Sequence, residues 1–206
     1  MTRRFVLSRF AGLTAAAALF AGAFSFTAAT ATAAIASAVA FDADHDLDLA
    51  VAKLTVPAEW KKVEPKSRIV QFEFAAPKAE GADADGRVTF MAAGGSIDAN
   101  IERWYGQFTQ PDGKSTKDRA KVEKKTIDGL EVHLVDISGT FAESSGGPFA
   151  GKTVERPDYR MLAAIIVAND AQIFIKFTGP AKTIAANAEN FQKMIESVKK
   201  SKPAEF

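Results

Sequence analysis

Asp128-Gly129 stands between two runs of alternating apolar and polar residues, Val122 to Ile127 and Leu130 to Ile137. A two-residue hairpin turn needs positive φ at both central positions, which Asp-Gly tolerates, so this dipeptide strongly constrains the chain to fold back on itself. Tyr159 to Ala168 and Gln172 to Phe177 form a second pair of runs around Asn169-Asp170. Within it, Met161 to Val167 is apolar throughout, the pattern of a strand in the middle of a sheet. Consecutive hairpins set neighbouring strands antiparallel, and a largely antiparallel, twisted sheet follows.

Three more strand-like runs precede these. Leu49 to Val56 ends at Pro57. Arg68 to Phe74 sets Val70, Phe72 and Phe74 against a polar face of Ile69, Gln71 and Glu73, and Arg87 to Ala93 follows the turn-like Asp83-Ala84-Asp85-Gly86. The period changes between Ser96 and Phe108, where Ile97, Ile101, Trp104, Tyr105 and Phe108 fall on one helical face. Ser96 or Asp98 is placed to cap that helix. A closing helix is predicted from Pro180 to Lys200, with Ile184, Ala188, Phe191, Ile195 and Val198 as its buried stripe and Lys199, Lys200 and Lys202 facing the negative end of its dipole. The expected fold is α+β, a largely antiparallel twisted sheet of about six to seven strands packed with two helices.

Residues 1–40 have the layout of a secretory signal peptide. Arg3, Arg4 and Arg9 are followed by an uncharged stretch to Ala40, with Ala38-Val39-Ala40 or Ala31-Thr32-Ala33 as cleavage sites. An uncleaved anchor is the alternative, but the stretch is rich in Ala and Thr and poor in Leu, Ile and Val. Arg3-Arg4 also fits a twin-arginine signal, from which Val6 and Ser8 depart, so the export route stays open. Residues 41–48 then read as a flexible acidic N-terminus, 49–200 as a single α+β domain and 201–206 as a C-terminal tail.

The chain carries 26 Lys and Arg and 25 Asp and Glu. Three of the arginines and no acid lie in residues 1–40, which leaves the remainder at −2 and gives no electrostatic reason to expect nucleic acid as a partner. There is no cysteine. Disulfides, thiolate metal sites, a cysteine nucleophile and a lipobox anchor are thereby excluded, and the core alone must stabilise the domain. Some 165 residues suffice, since a chain of that size buries roughly 70% of its unfolded surface.

Several motifs resemble chemistry. Gly146 to Thr153 matches the phosphate-cradling G-x-x-x-x-G-K-[ST] pattern letter for letter. That loop must open a helix, whereas Pro157 and a strand-like run follow here, so no ATP site is expected. Asp42, Asp44, His45, Asp46 and Asp48 are rich in oxygen ligands, yet Leu47 and Lys53 stand where a calcium loop needs Gly and Glu. Gly94-Gly95-Ser96 could present backbone N–H groups to an anion, or simply turn from strand to helix. His133, beside Glu131 on an alternating strand, lacks an arguable nucleophile. Lys114, Lys117, Arg119, Lys121, Lys124 and Lys125, diluted by Asp112, Asp118 and Glu123, read as a solvated basic face. No catalytic, cofactor-binding or metal residue is assigned, and no cofactor is expected.

Ala142 to Asp158 reads as a loop of about 17 residues, and loops of that length usually carry function or lack order. Phe149, Lys152, Glu155 and Arg156 within it are the candidate partner contacts.

The segment Leu54-Thr55-Val56-Pro57-Ala58-Glu59-Trp60, together with the element order, resembles the PsbP-like family. That family comprises the extrinsic photosystem II subunits and their bacterial relatives, which share an α/β/α sandwich with the Ran-binding Mog protein. The resemblance spans most of residues 47–200 and carries no functional residue across. It implies a non-enzymatic accessory or binding role in an exported compartment, periplasmic or extracellular, with an unknown protein or envelope component as partner. Two other functions compete: a carrier of a small apolar ligand, with a cavity near Trp104 and Tyr105, and a hydrolase or transferase using His133.

Overall fold

Asp128 and Gly129 adopt φ 50° and 76°, the mirror-image turn that Asp-Gly favours, and pair Lys121–Ile127 antiparallel with the strand beginning at Leu130. The computed structural model describes residues 44–145, 152–168 and 171–201. The expected signal peptide 1–40, Asn169-Asp170 and the expected tail residues 202–206 lie outside the described residues.

In chain order the elements are β1 (His45–Asp48), β2 (Ala52–Val56), β3 (Lys61–Val63), β4 (Phe72–Ala76), β5 (Gly86–Ala93), α1 (Ile97–Tyr105), β6 (Phe108–Thr109) and β7 (Lys121–Ile127). There follow β8 (Leu130–Ser145), β9 (Lys152–Ala168), β10 (Ala171–Pro180), α2 (Ala181–Ala186), α3 (Ala188–Glu196) and β11 (Lys199–Lys200). The large sheet runs β3-β4-β5-β10-β9-β8-β6, with β7 also paired to β8, and a small sheet runs β1-β2-β11. Every pairing is antiparallel. Met161–Val167 lies between β8 and β10, in the middle of the large sheet as its apolar run predicts.

The sheet is covered on both faces. On one, Ile101 and Trp104 of α1 and Phe108 pack over Val135, Ile137, Met161, Ile165 and Phe174. On the other, Ile184, Phe191, Met194 and Ile195 of α2 and α3, with Leu54 and Val56 of the small sheet, pack over Val132, Ile166, Ile175 and Phe177. Alternation along each strand supplies both cores, which is why β9 reads as uniformly apolar.

Several elements differ from expectation. The described residues hold eleven strands and three helices, where six to seven and two are predicted. The small sheet accounts for much of the excess. His45–Asp48, expected to be a flexible acidic segment, forms β1 against β2. Its acids are satisfied locally: Asp44 Oδ1 accepts from Ala58 N, Asp46 Oδ1 from Thr55 Oγ1 and Asp48 Oδ1 from Ala50 N. Leu47, their apolar alternate, is buried. Lys199 and Lys200, expected at a helix end, instead pair with Lys53 and Ala52. Arg68–Gln71 is not strand: Val70 N bonds to Ser67 O in a turn, and Ile69 is 70% exposed. Glu73, expected on a polar face, is buried because Arg87 grips its carboxylate with Nε and Nη2 at 2.7 and 2.8 Å.

The expected closing helix breaks at Asn187, and the reason is a buried polar knot. Trp60 is fully buried, 5.1 Å from the Phe177 ring, and its Nε1 donates to Asn187 Oδ1 at 3.1 Å. Asn187 Nδ2 donates to the carbonyls of Pro77 and Thr183, and Thr183 Oγ1 donates to Ala84 O. A buried indole N–H without a partner costs about 1–3 kcal/mol, so this arrangement is strongly held. The Val56-Pro57-x-x-Trp60 segment is therefore structural: Trp60 N closes a turn on Pro57 O and the indole plugs the core.

Replacing Asn187 with Leu is expected to cost about 2–4 kcal/mol in urea unfolding, because Trp60 Nε1 and the Pro77 carbonyl lose their partner. Trp60→Phe in the same background should cost less than it does alone. Strictly additive losses would show that the two side chains are not coupled.

Candidate functional site

The segment expected as a long loop is largely strand. Ser145 pairs with Lys152, and Glu143 with Val154, so β8 and β9 continue past the sheet as a two-stranded arm. Next to the arm, Gly139 pairs with Tyr159 and Phe141 with Arg156, which leaves Pro157 and Asp158 opposite Thr140 as a bulge. Asp158 takes φ 54° and Gly139 φ 152°, and a Cβ on Gly139 would lie 2.5 Å from the Thr109 carbonyl oxygen. A proline is admitted there because a bulge needs no ladder N–H from it. At the root, Phe141 stacks on Tyr159 with centroids 6.1 Å apart and packs against Phe108 at 5.1 Å.

Of the four candidate contacts, Glu155 and Arg156 lie exposed on the arm. Arg156 Nε meets Glu143 Oε2 across the strands at 2.9 Å, and that carboxylate raises the Arg156 pKa. Lys152 opens β9, and Phe149 lies outside the described residues. Thr153 and Val154 are exposed, Val154 at 40%. Lys152-Thr153 therefore begins a strand and not a helix, the opposite of what phosphate cradling needs.

The Gly94-Gly95-Ser96 turn is used internally. Ser96 Oγ caps α1 by accepting from Ala99 N at 3.1 Å, Asn100 Nδ2 donates to the carbonyls of Gly94 and Ser96, and Gln172 Nε2 donates to Gly95 O. Much of the basic run is paired: Lys117 with Glu102, Arg119 and Lys114 with Asp112, Lys124 with Glu131 and Lys125 with Glu123.

His133 Nε2 lies 2.6 Å from Glu131 Oε1. Lys124 first, and His133 second, hold the Glu131 carboxyl below its usual range. The cross-strand neighbours of His133 are Lys124 and Ile165, neither of which carries a hydroxyl or thiol.

Sequence reasoning passed over Lys176, a charged position between the apolar Ile175 and Phe177 of β10. It sits under α1, where its Nζ donates to Gln107 Oε1 at 2.8 Å and lies 5.9 Å from the Trp104 ring centroid. Loss of hydration, reinforced by the Arg87 charge, pushes its pKa down to about 8. Trp104 itself packs edge-on against Phe174 at 5.7 Å.

Among the described residues an open cavity lies on the other face, between β7 and α3, away from Trp104 and Tyr105. It holds about 300 Å³, at the lower end of the range for ligand pockets. Ile127, Leu134, Leu162, Phe191 and Ile195 form its floor, and Lys121, Glu123, Lys125, Asp136, Arg160 and Glu196 line its rim. Val132 and Ala164 are completely buried on this face, whereas Leu134 and Leu162, towards the β7 edge, are left half-buried. Asp136 accepts two bonds of 2.8 Å from Arg160.

No family model matches the sequence, and no curated protein matches it. In three dimensions the chain is similar to the cyanobacterial PsbP of Synechocystis sp. PCC 6803, with TM-score 0.45, 10% identity, and 80% of this chain and 96% of that one covered. It is also similar to a protein of Bacteroides thetaiotaomicron VPI-5482, with TM-score 0.44, 15% identity and 75% of this chain covered; the chain spans about half (46%) of that protein. LpqN of Mycobacterium tuberculosis, involved in cell envelope biogenesis, has TM-score 0.42, 9% identity, and 78% and 91% covered. Among the described residues no helix is long and apolar enough to cross a membrane.

Lys176 makes stability depend on alkaline pH. Its folded pKa of about 8 lies below the ordinary 10.5, so between pH 8 and 10 the unfolded chain binds more protons and stability rises with pH. Burial raises the Tyr105 phenol, which opposes this only above about pH 10. Urea midpoints should rise across that window by the equivalent of about 1–3 kcal/mol. Lys176→Met should flatten the profile, and an unchanged slope in that variant would assign the rise to another group.

Proposed function

We propose that this chain is an exported accessory module that acts by surface contact, and that the β8–β9 arm is its contact surface. The single observation carrying the proposal is the arm itself. Beyond the root, neither Glu143–Ser145 nor Lys152–Asp158 has a further strand partner among the described residues. Such a ribbon offers backbone donors and acceptors to an incoming extended segment, with side chains to select it. Glu155, Arg156 and the exposed Val154 supply those side chains. The Phe108–Phe141–Tyr159 stack stiffens the root and lowers the ordering cost of binding. Export is supported by the arginine-led, uncharged, Ala-rich leader of residues 1–40.

A second reading, a carrier of a small apolar ligand, is favoured by one observation, the apolar-floored cleft between β7 and α3. The sheet face beneath α1, where such a cavity was expected, is occupied by Trp104 and Phe174.

A photo-crosslinking residue in place of Val154, in the full-length chain expressed in its own cell envelope, should yield one discrete adduct. The same residue in place of Glu80, exposed on a turn outside the arm, should yield none. Arg156→Glu should reduce the Val154 adduct about tenfold, as loss of a contact worth 1–2 kcal/mol implies. Equal crosslinking from both positions would remove the arm as the contact surface.

A further inference from the structure

We propose that the β7–α3 cleft binds a single-chain amphiphile with an anionic head, its alkyl chain lying on the apolar floor and its head at Lys121. The inference deepens the carrier reading of the cleft and rests on it.

The two ends of the cleft differ in charge. Lys200 N donates to Asp128 Oδ2 at 2.8 Å, which ties the C-terminal end of α3 to the β7–β8 turn. Glu196 and Ile127 therefore mark one end, and Lys121, Arg160 and Ala188, at the start of α3, mark the other. Lys121 is the cross-strand partner of Asp136, but among the described residues it forms no ion pair. Asp136 is already neutralised by Arg160, whose Nε and Nη2 it engages, which leaves Nη1 to donate elsewhere. The Lys121–Asp136–Arg160 group thus carries one uncompensated positive charge. The positive end of the α3 dipole adds to it.

The middle of the cleft is neutral, because Lys125 pairs with Glu123 at 3.5 Å. At the far end Glu196 accepts from Gln192 Nε2 at 2.8 Å and meets no cation among the described ion pairs. That carboxylate and the carbonyl end of α3 repel an anion, so a negative head is directed to Lys121. The floor between the ends offers only hydrocarbon. Ile127, Leu134 and Leu162 are only half-buried, and covering them gives the apolar chain its driving force. A carboxylate on an unbranched chain meets both demands with the fewest ordered groups.

The test uses the chain without its first 39 residues, which retains the compact unit Ala40–Phe206, in ¹H–¹⁵N NMR titrations. Decanoate, decanol and decyltrimethylammonium are compared at equal concentrations. Decanoate should shift the amides of Leu134, Leu162 and Ile195 saturably and bind about tenfold more tightly than the other two, a difference that one unpaired lysine can supply. Lys121→Glu, on an exposed edge strand, should erase that preference, whereas the same charge change at Lys62→Glu on the opposite edge should leave it intact. Equal binding of all three probes in the cleft overturns the anionic-head assignment and keeps the carrier reading. Tighter binding of the cationic probe transfers the head to Glu196 and overturns the proposal. Shifts confined to other surfaces, or none, remove both the proposal and the carrier reading.

Discussion

The bond between the Trp60 indole and Asn187 organises the rest of the structure. It joins three parts of the chain that are remote in sequence: the turn after the small sheet, the central strand β10 through Phe177, and the break between α2 and α3. The interior there excludes water, so the indole N–H, the Pro77 carbonyl and the Asn187 amide must satisfy one another or go unsatisfied. With no cysteine in the chain, nothing covalent substitutes for this knot. The direction in which α3 leaves it determines how far the helix reaches across the sheet. That reach in turn leaves the cleft beside β7 open.

The polar groups that look chemical divide by burial. Glu73 illustrates the buried kind: burial pushes its carboxyl up, but the Arg87 guanidinium and the Lys66 N–H outweigh that and hold it below the usual range. Removing one partner of such a pair costs far more than the pair contributes, so it stiffens the β4–β5 pairing rather than offering reactivity. The edge strand β7 is exposed along nearly its whole length and carries Lys121, Lys124 and Lys125. Lysines on a free edge discourage pairing with a second copy of the same strand. Lys121 differs from the other two in forming no ion pair among the described residues.

Much of the central sheet was legible because hairpin turns and apolar alternation are local signals. Asp128-Gly129 and the run Met161–Val167 define β7 to β10 with little outside help, and Ser96 caps α1 where a small hydroxyl residue before an apolar stripe leads one to look. The arm was not legible. A two-stranded ribbon with no covering layer has no apolar face, so Glu143, Ser144, Thr153 and Glu155 read as loop although they pair. The small sheet was missed for a related reason: β1 and β11 are short and charged, and only contact with β2 turns them into strands. Asn187 is an ordinary helix residue by periodicity. Its role depends on Trp60, well over a hundred positions away in the chain.

The sequence alone determined the antiparallel order, the helical and strand periods, the absence of thiol chemistry and the misfit of the Gly146–Thr153 pattern, because each depends on neighbouring residues or on composition. Only the tertiary structure decided which faces are sealed and which stay open. It placed Trp104 over Phe174, left Leu134 and Leu162 half-buried, set a lysine against an indole, and left Lys121 without an ion pair among the described residues. Those outcomes depend on where a helix ends relative to the sheet beneath it, a distance in space that no local pattern of residues encodes.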